Sequence, residues 1–146
     1  MPIRPLVFSL LLFSLLGGAK KFIETKDQPE AVRMAELLGN PDRFNGKLVT
    51  VIGYLVIGGK DVIPDSTLSL DKNDDENGLG NGMGVIPNPE MLRNRRELTG
   101  TYVVMTGVIV TREWPRGRML AIQEITECKV WSDPEHPRFG KLPSQP

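Results

Sequence analysis

The densest cluster of recognition chemistry in the sequence is Arg112-Glu113-Trp114-Pro115-Arg116-Gly117-Arg118, which sets Arg112, Arg116 and Arg118 and an indole around a Pro-Arg-Gly turn. A guanidinium is a planar fork that suits anions and stacks on aromatic faces, and an indole supplies a large, rigid contact surface. Both residue types carry much of the energy at binding surfaces. The loop therefore suits binding. The same residues also fit a solvated hairpin tip whose Trp114 folds back on the protein wall.

Other candidate chemistries assemble less well. In the acidic run Asp71-Lys72-Asn73-Asp74-Asp75-Glu76-Asn77-Gly78, three residues (Asp71, Asn73, Asp75) match the first, third and fifth ligand positions of an EF-hand calcium loop. Position six is Glu76 where glycine is required, and position twelve is Gly82 where a bidentate glutamate is required. The match fails. The run reads as a solvated, glycine-rich connection between strands, with a looser calcium loop as the weaker alternative. No metal and no cofactor is expected.

Catalysis finds no constellation. His136 is the single histidine and lies in the Pro-rich stretch DPEHPRF, where nothing in the sequence holds it rigid. Cys128 alternates with Thr126 and Val130 late in a strand and reads as a buried thiol, the alternative being an unpaired reactive or intermolecular cysteine. No GxSxG or Ser-Lys arrangement occurs, and Glu124 and Glu127 read as outward charges of a strand. The chain is expected not to be an enzyme.

Composition narrows the partners. Of 146 residues, 40% are apolar and 25% charged, which suits a folded chain rather than a disordered one. Lys+Arg and Asp+Glu both total 18, so bulk charge does not recommend nucleic acid. Single-stranded nucleic acid is held by stacking successive bases on aromatic side chains. Of the aromatic residues, only Tyr54, Tyr102 and Trp114 are placed to join such a platform. Arg93, Arg95 and Arg96 could extend a basic patch but read as a solvated helix face.

These residues must be carried by elements, and the first segment is not one of them. One basic residue, Arg4, precedes the uncharged run Leu6 to Leu16, and Gly17-Gly18-Ala19 follows. As a helix the run spans about 16 Å, roughly half a bilayer core. Basic start, short apolar run and small-residue exit resemble a secretory signal peptide cut near Ala19, so an exported chain, periplasmic or secreted, is expected. An uncleaved anchor is the alternative. Residues 20–28 read as a linker, 29–132 as the folded domain, and 133–146, with Pro134, Pro137, Pro143 and Pro146, as an extended and mobile tail.

Inside the domain a helix is expected from Pro29 to Gly39, with Val32, Ala35 and Leu38 at helical spacing and Met34 and Leu37 widening the apolar face. Lys47 to Ile57 is a β-branched run too apolar on both faces for a simple exposed strand. Short strands follow at Thr67 to Leu70 and around Met83 to Ile86. Asn88-Pro89-Glu90 then reads as a cap opening a helix to about Leu98. Gly46 to Val56 aligns without gaps on Gly100 to Val110, so Gly46 and Gly53 recur as Gly100 and Gly107. A glycine in mid-strand marks a bend or bulge, which suits long strands curling round a small barrel. The last strand, Arg118 to Val130, pairs with the second copy across the loop Arg112 to Gly117.

Three strands, a helix and two strands, with the first and fourth bent, is the order of an OB-fold. The expected architecture is mainly β with short helices: a small five-stranded OB-type barrel, one helix before strand 1 and one between strands 3 and 4. The stretch LLGNPDRFNGKLVTVIGYL (37–55), together with Gly100 to Val110, resembles bacterial exported OB-fold domains similar to the tRNA-anti-like group. The resemblance implies fold far more than function, because such barrels take oligonucleotide, oligosaccharide and protein ligands alike. OB-folds bind on the face of strands two and three between the loops after strands one and four. The expected function is a non-catalytic exported binding module for a protein or cell-envelope component. Arg112, Trp114, Arg116 and Arg118 would carry the site, with Tyr54 lining the same face. Single-stranded nucleic-acid binding is the alternative, and an unrecognised enzyme a second.

Overall fold

A computed structural model of the chain describes residues 28–58, 66–114 and 117–139. The expected signal segment, most of the expected linker, Arg116 and residues 140–146 lie outside them.

Five strands close into a barrel: β2 (Leu48–Val56), β3 (Thr67–Ser69), β4 (Gly82–Val85), β5 (Thr101–Trp114) and β6 (Gly117–Val130). The order is β2-β3-β4-β6-β5, and β5 pairs back onto β2. All pairings in the ring are antiparallel except β4 with β6. Period-two alternation sends Val49, Val51 and Leu55 of β2 into the core, where they meet Val103, Met105 and Ile109 of β5. The OB-type barrel expected from the sequence is the fold observed.

The repeated glycines sit where backbones converge. A Cβ at Gly53 would lie 2.8 Å from Leu68 Cγ and 2.9 Å from the Ser69 carbonyl oxygen. There β2, paired with β5 from Leu48 to Leu55, also meets β3, which it contacts only over Tyr54 to Val56. A Cβ at Gly107 would lie 2.8 Å from the Gln123 carbonyl oxygen. The bulge at that point belongs to the opposite strand. The register runs Thr106 with Glu127 and then Val108 with Gln123, so β6 holds three residues against the single Gly107. Glu124 takes a φ of 49° there. Gly46 and Gly100 enter the two copies with φ of 78° and 75°.

The helix expected from Pro29 begins later. Past its contact with β3, the first half of β2 presents an unpaired edge, and β1 (Glu30–Ala31) fills it by pairing parallel with Val49 and Thr50. Val32 N continues this by donating to the Thr50 carbonyl at 2.9 Å. The helix α1 runs Met34–Gly39, and Asn40-Pro41 opens a further turn, α2 (Pro41–Phe44), instead of ending the helical region. The buried residues are Val32, Met34 and Leu37, whereas Ala35 is exposed. Extended spacing followed by helical spacing had the look of one helix.

The acidic run between β3 and β4 is also helical rather than a plain connection. Asp71 accepts from Asp74 N at 2.8 Å and caps α3 (Lys72–Glu76), with Asp74 and Asp75 in the first turn where the helix dipole favours them. The helix before β5 starts as expected: Asn88 caps α4 (Pro89–Arg93) by accepting from Met91 N at 2.8 Å. Asn94 then breaks it from α5 (Arg95–Leu98).

The chain after β6 does not begin as an extended tail. Residues 133–139 form a turn tied back to the barrel: Trp131 N donates to the Tyr102 carbonyl at 2.8 Å and Trp131 Nε1 to the His136 carbonyl at 3.1 Å. The Trp131 and Phe139 rings meet edge to face. Two adjacent aromatic anchors outweigh the extended preference of the prolines.

Candidate ligand groove

The ladder register defines the face the site occupies. Leu55, Leu68 and Met83 are aligned across β2, β3 and β4 and point inward. The rows on either side, Tyr54-Ser69-Gly82 and Val56-Thr67-Gly84, must then point outward, because alternate residues of a strand face opposite ways. Thr67, Ser69, Gly82 and Gly84 line an open groove of about 660 Å³. Met119 and Leu120 of β6 flank it, and Leu38 and Pro41 contribute from α1 and α2.

The groove lining carries both signs of charge. Asp75 Oδ1 accepts from Thr67 Oγ1 at 3.5 Å and from Ser69 Oγ at 3.4 Å, both long contacts. Asp74, buried, accepts from Asn81 Nδ2 at 3.2 Å. On β6, Arg118 reaches to Asp42 of α2 in a short, exposed ion pair. The hydrogen bond and charge of Asp42 hold the guanidinium above its ordinary pKa, and Glu113 adds to this. The groove thus carries two carboxylates against one guanidinium whose charge Asp42 already matches.

Of the residues expected to form the site, the structure brings Arg118 to the groove. Arg112 pairs with Met119, and Glu113 pairs with Arg118. Arg112 and Arg118 consequently project from opposite faces of the hairpin, so these two do not share one patch. Trp114 closes β5 opposite Gly117. Arg116 lies outside the described residues. Tyr54 shares the outward row of Ser69, but its ring is buried edge to face against Tyr102, centroids 5.5 Å apart, and it does not line the groove. Arg93, Arg95 and Arg96 lie on α4 and α5, away from the lining.

Thr67, Ser69 and Asn81 carried no signal of a site in the sequence, and Asp75 stood out only as one position of a calcium-loop match that fails. The outward positions of TLSL were legible from its alternation, but the closing of α3 over them was not. Asp42 carried no signal, because only the barrel brings it to Arg118.

The single thiol and imidazole stand elsewhere. Cys128 is half-buried beside α4, and burial, then the charge of Glu90, pushes its pKa up to about 11. Such a thiol is a poor nucleophile at neutral pH. His136 is exposed, its Nδ1 3.1 Å from Asp133 Oδ2. Among the described residues no group of three His, Cys, Asp or Glu side chains is placed to hold a metal ion, and no helix is long and apolar enough to cross a membrane.

No family model matches the chain, and no curated protein matches it. Among solved structures it is similar to an OBody bound to hen egg-white lysozyme, at 18% identity and a TM-score of 0.45, over 70% of this chain and 94% of that one.

Proposed function

We propose that the chain is an exported, non-catalytic binding module that takes a protein or cell-envelope ligand in the groove over β3 and β4. The observation that carries this reading is the groove itself, open along the outward face of two short strands and rimmed by Arg118. Leu79, 57% exposed, stands in the loop beside it between the lining residues Gly78 and Gly80. An arginine and an exposed leucine flanking a polar floor suit a mixed protein surface.

Charge separates this from the nucleic-acid reading. A phosphate backbone entering the groove would meet Asp74 and Asp75, with Arg118 already engaged by Asp42. Affinity for nucleic acid rests on cations that neutralise phosphates, and the groove offers few. Export rests on the basic, apolar and small-residue pattern of the first nineteen residues.

The test is a cross-linked capture by the tagged chain from Lys20 onward, run in an envelope fraction beside Arg118→Glu and Asp75→Asn variants. A partner held by the parent chain and lost from Arg118→Glu supports the groove. Equal capture by all three removes it. A fluorescent oligothymidine bound with an affinity that falls steeply with salt would favour nucleic acid instead.

A further inference from the structure

Ile52 is 4% exposed, yet it does not belong to the barrel core. It points outward from β2, between the outward residues Thr50 and Tyr54. The C-terminal turn faces it across a cavity of about 370 Å³. Met34, Ile52 and Leu70 form the apolar wall on the barrel side, and Pro137 and Phe139 the wall on the side of the turn. The size lies at the lower end of the about 300–1,000 Å³ common for small-molecule sites.

The cavity also carries four charges. Arg33 and Arg138 bring two cations, and Asp71 and Glu135 two anions. Among the described residues, none of the four is in an ion pair with another. Asp71 gives one oxygen to the cap of α3, and among the described residues its second oxygen accepts no hydrogen bond. Arg33, Glu135 and Arg138 are exposed and hold no side-chain hydrogen bond among the described residues.

We infer that this cavity binds a small zwitterion with an apolar body, of the size of an apolar amino acid. A simple anion with an apolar body would gain the two guanidinium groups but bring its charge beside Asp71 and Glu135. A simple cation meets the converse. A neutral apolar ligand would return no partner to any of the four charges, three of which are exposed and keep their water. A zwitterion supplies one group of each sign, so its carboxylate meets Arg33 and Arg138 and its ammonium meets Glu135 and Asp71. Its apolar side chain then lies between Ile52 and Phe139. Arginine is suited to the carboxylate because its fork can bind both oxygens at once.

The experiment is an NMR titration of the full chain, following the amides of Ile52, Leu70 and Phe139 and the indole of Trp131, whose ring contacts Phe139. Three probes share one apolar body: L-phenylalanine carries both charges, 3-phenylpropionate the negative charge alone, and 2-phenylethylamine the positive charge alone. Saturable shifts at these positions with L-phenylalanine are expected, with each single-charge probe binding about ten-fold more weakly. Arg138→Gln and Glu135→Gln, both at exposed positions, should each weaken L-phenylalanine by a similar factor while leaving amide positions in the barrel core unchanged. Equal affinity for the three probes overturns the inference. So does the lack of a saturable shift with millimolar L-phenylalanine, or binding that survives both variants.

Discussion

Val51 and Met105 face each other across the β2–β5 ladder, and they are also each other's counterparts in the internal repeat. An antiparallel pair whose partners are equivalents has a local two-fold axis between them. Every other equivalence follows from that axis. Gly53 of the first copy pairs with Val103 of the second, and Gly107 of the second pairs with Val49 of the first. Gly46 N donates to the Ile109 carbonyl at 2.7 Å, and Gly100 N donates to the Leu55 carbonyl at the same distance. The repeat therefore places a glycine of each strand opposite the first core valine of the other.

Substitution should expose that arrangement. Gly53→Ala and Gly107→Ala each push a methyl group to within about 3 Å of a backbone carbonyl, which cannot rotate away as a side-chain tip can. Overpacking of this kind costs about 1–3 kcal/mol. In a domain this size the melting temperature should fall by about 4–8 °C for each kcal/mol. Gly39→Ala is the contrast, because nothing lies within 4 Å of its Cβ position and it ends a helix. There alanine should raise stability by about 0.5–1 kcal/mol. Thermal melts of the three variants decide the matter.

What could be read in advance follows how local each cause is. The run LVTVIGYLV declares a strand by its β-branched residues, and Asn88-Pro89-Glu90 declares a cap, because both causes lie within a few residues. Glu30 and Ala31 become strand only because β2 leaves half an edge unpaired, a fact of the closed barrel. Arg118 was visible as a cation, but its partner Asp42 lies on α2, at the far end of the domain in sequence. Ile52 and Tyr54 made β2 look apolar on both faces, and the turn that covers Ile52 hides behind prolines that suggest extension.

Removing that turn provides a second test of it. A chain ending at Ser132 lacks Pro137 and Phe139, which form the outer wall of the Ile52 cavity, and leaves Trp131 without the His136 carbonyl. Exposing a large aliphatic side chain fully costs about 1.5–3 kcal/mol, which is the upper bound here because Ile52 keeps its strand neighbours. The truncated chain should melt lower than the parent and show a red-shifted Trp131 emission. Identical melting curves would mean that the turn contributes nothing to the fold.

Asn88 does two jobs whose sizes can be separated. Its Oδ1 accepts from Met91 N and its Nδ2 donates to the Ile125 carbonyl, each at 2.8 Å, so it joins the start of α4 to β6. Asn88→Ala loses both and should cost about 1–3 kcal/mol. Asn88→Ser keeps a capping oxygen but is too short to bridge to Ile125. The difference between the two variants in urea unfolding reports the cap, and the residual cost of serine reports the bridge.

Cys128 ties stability to alkaline pH. Burial, then Glu90, raises its pKa from 9.0 to about 11 in the folded chain, so the thiolate is disfavoured there relative to the unfolded chain. A group raised in this way contributes fully below about pH 9 and loses that contribution progressively as pH climbs towards about 11. The parent chain should therefore lose stability across that window, and Cys128→Ser should lose less, since a hydroxyl does not titrate there. Solvent reaches part of the side chain, which keeps the loss below what full burial would give. Reactivity follows the same shift. Near pH 8 less of the folded thiol than of the unfolded one is thiolate, so iodoacetamide should modify the folded chain more slowly than the unfolded one. Alkylation rates that match in the folded and urea-unfolded states would show that α4 does not shield the thiol.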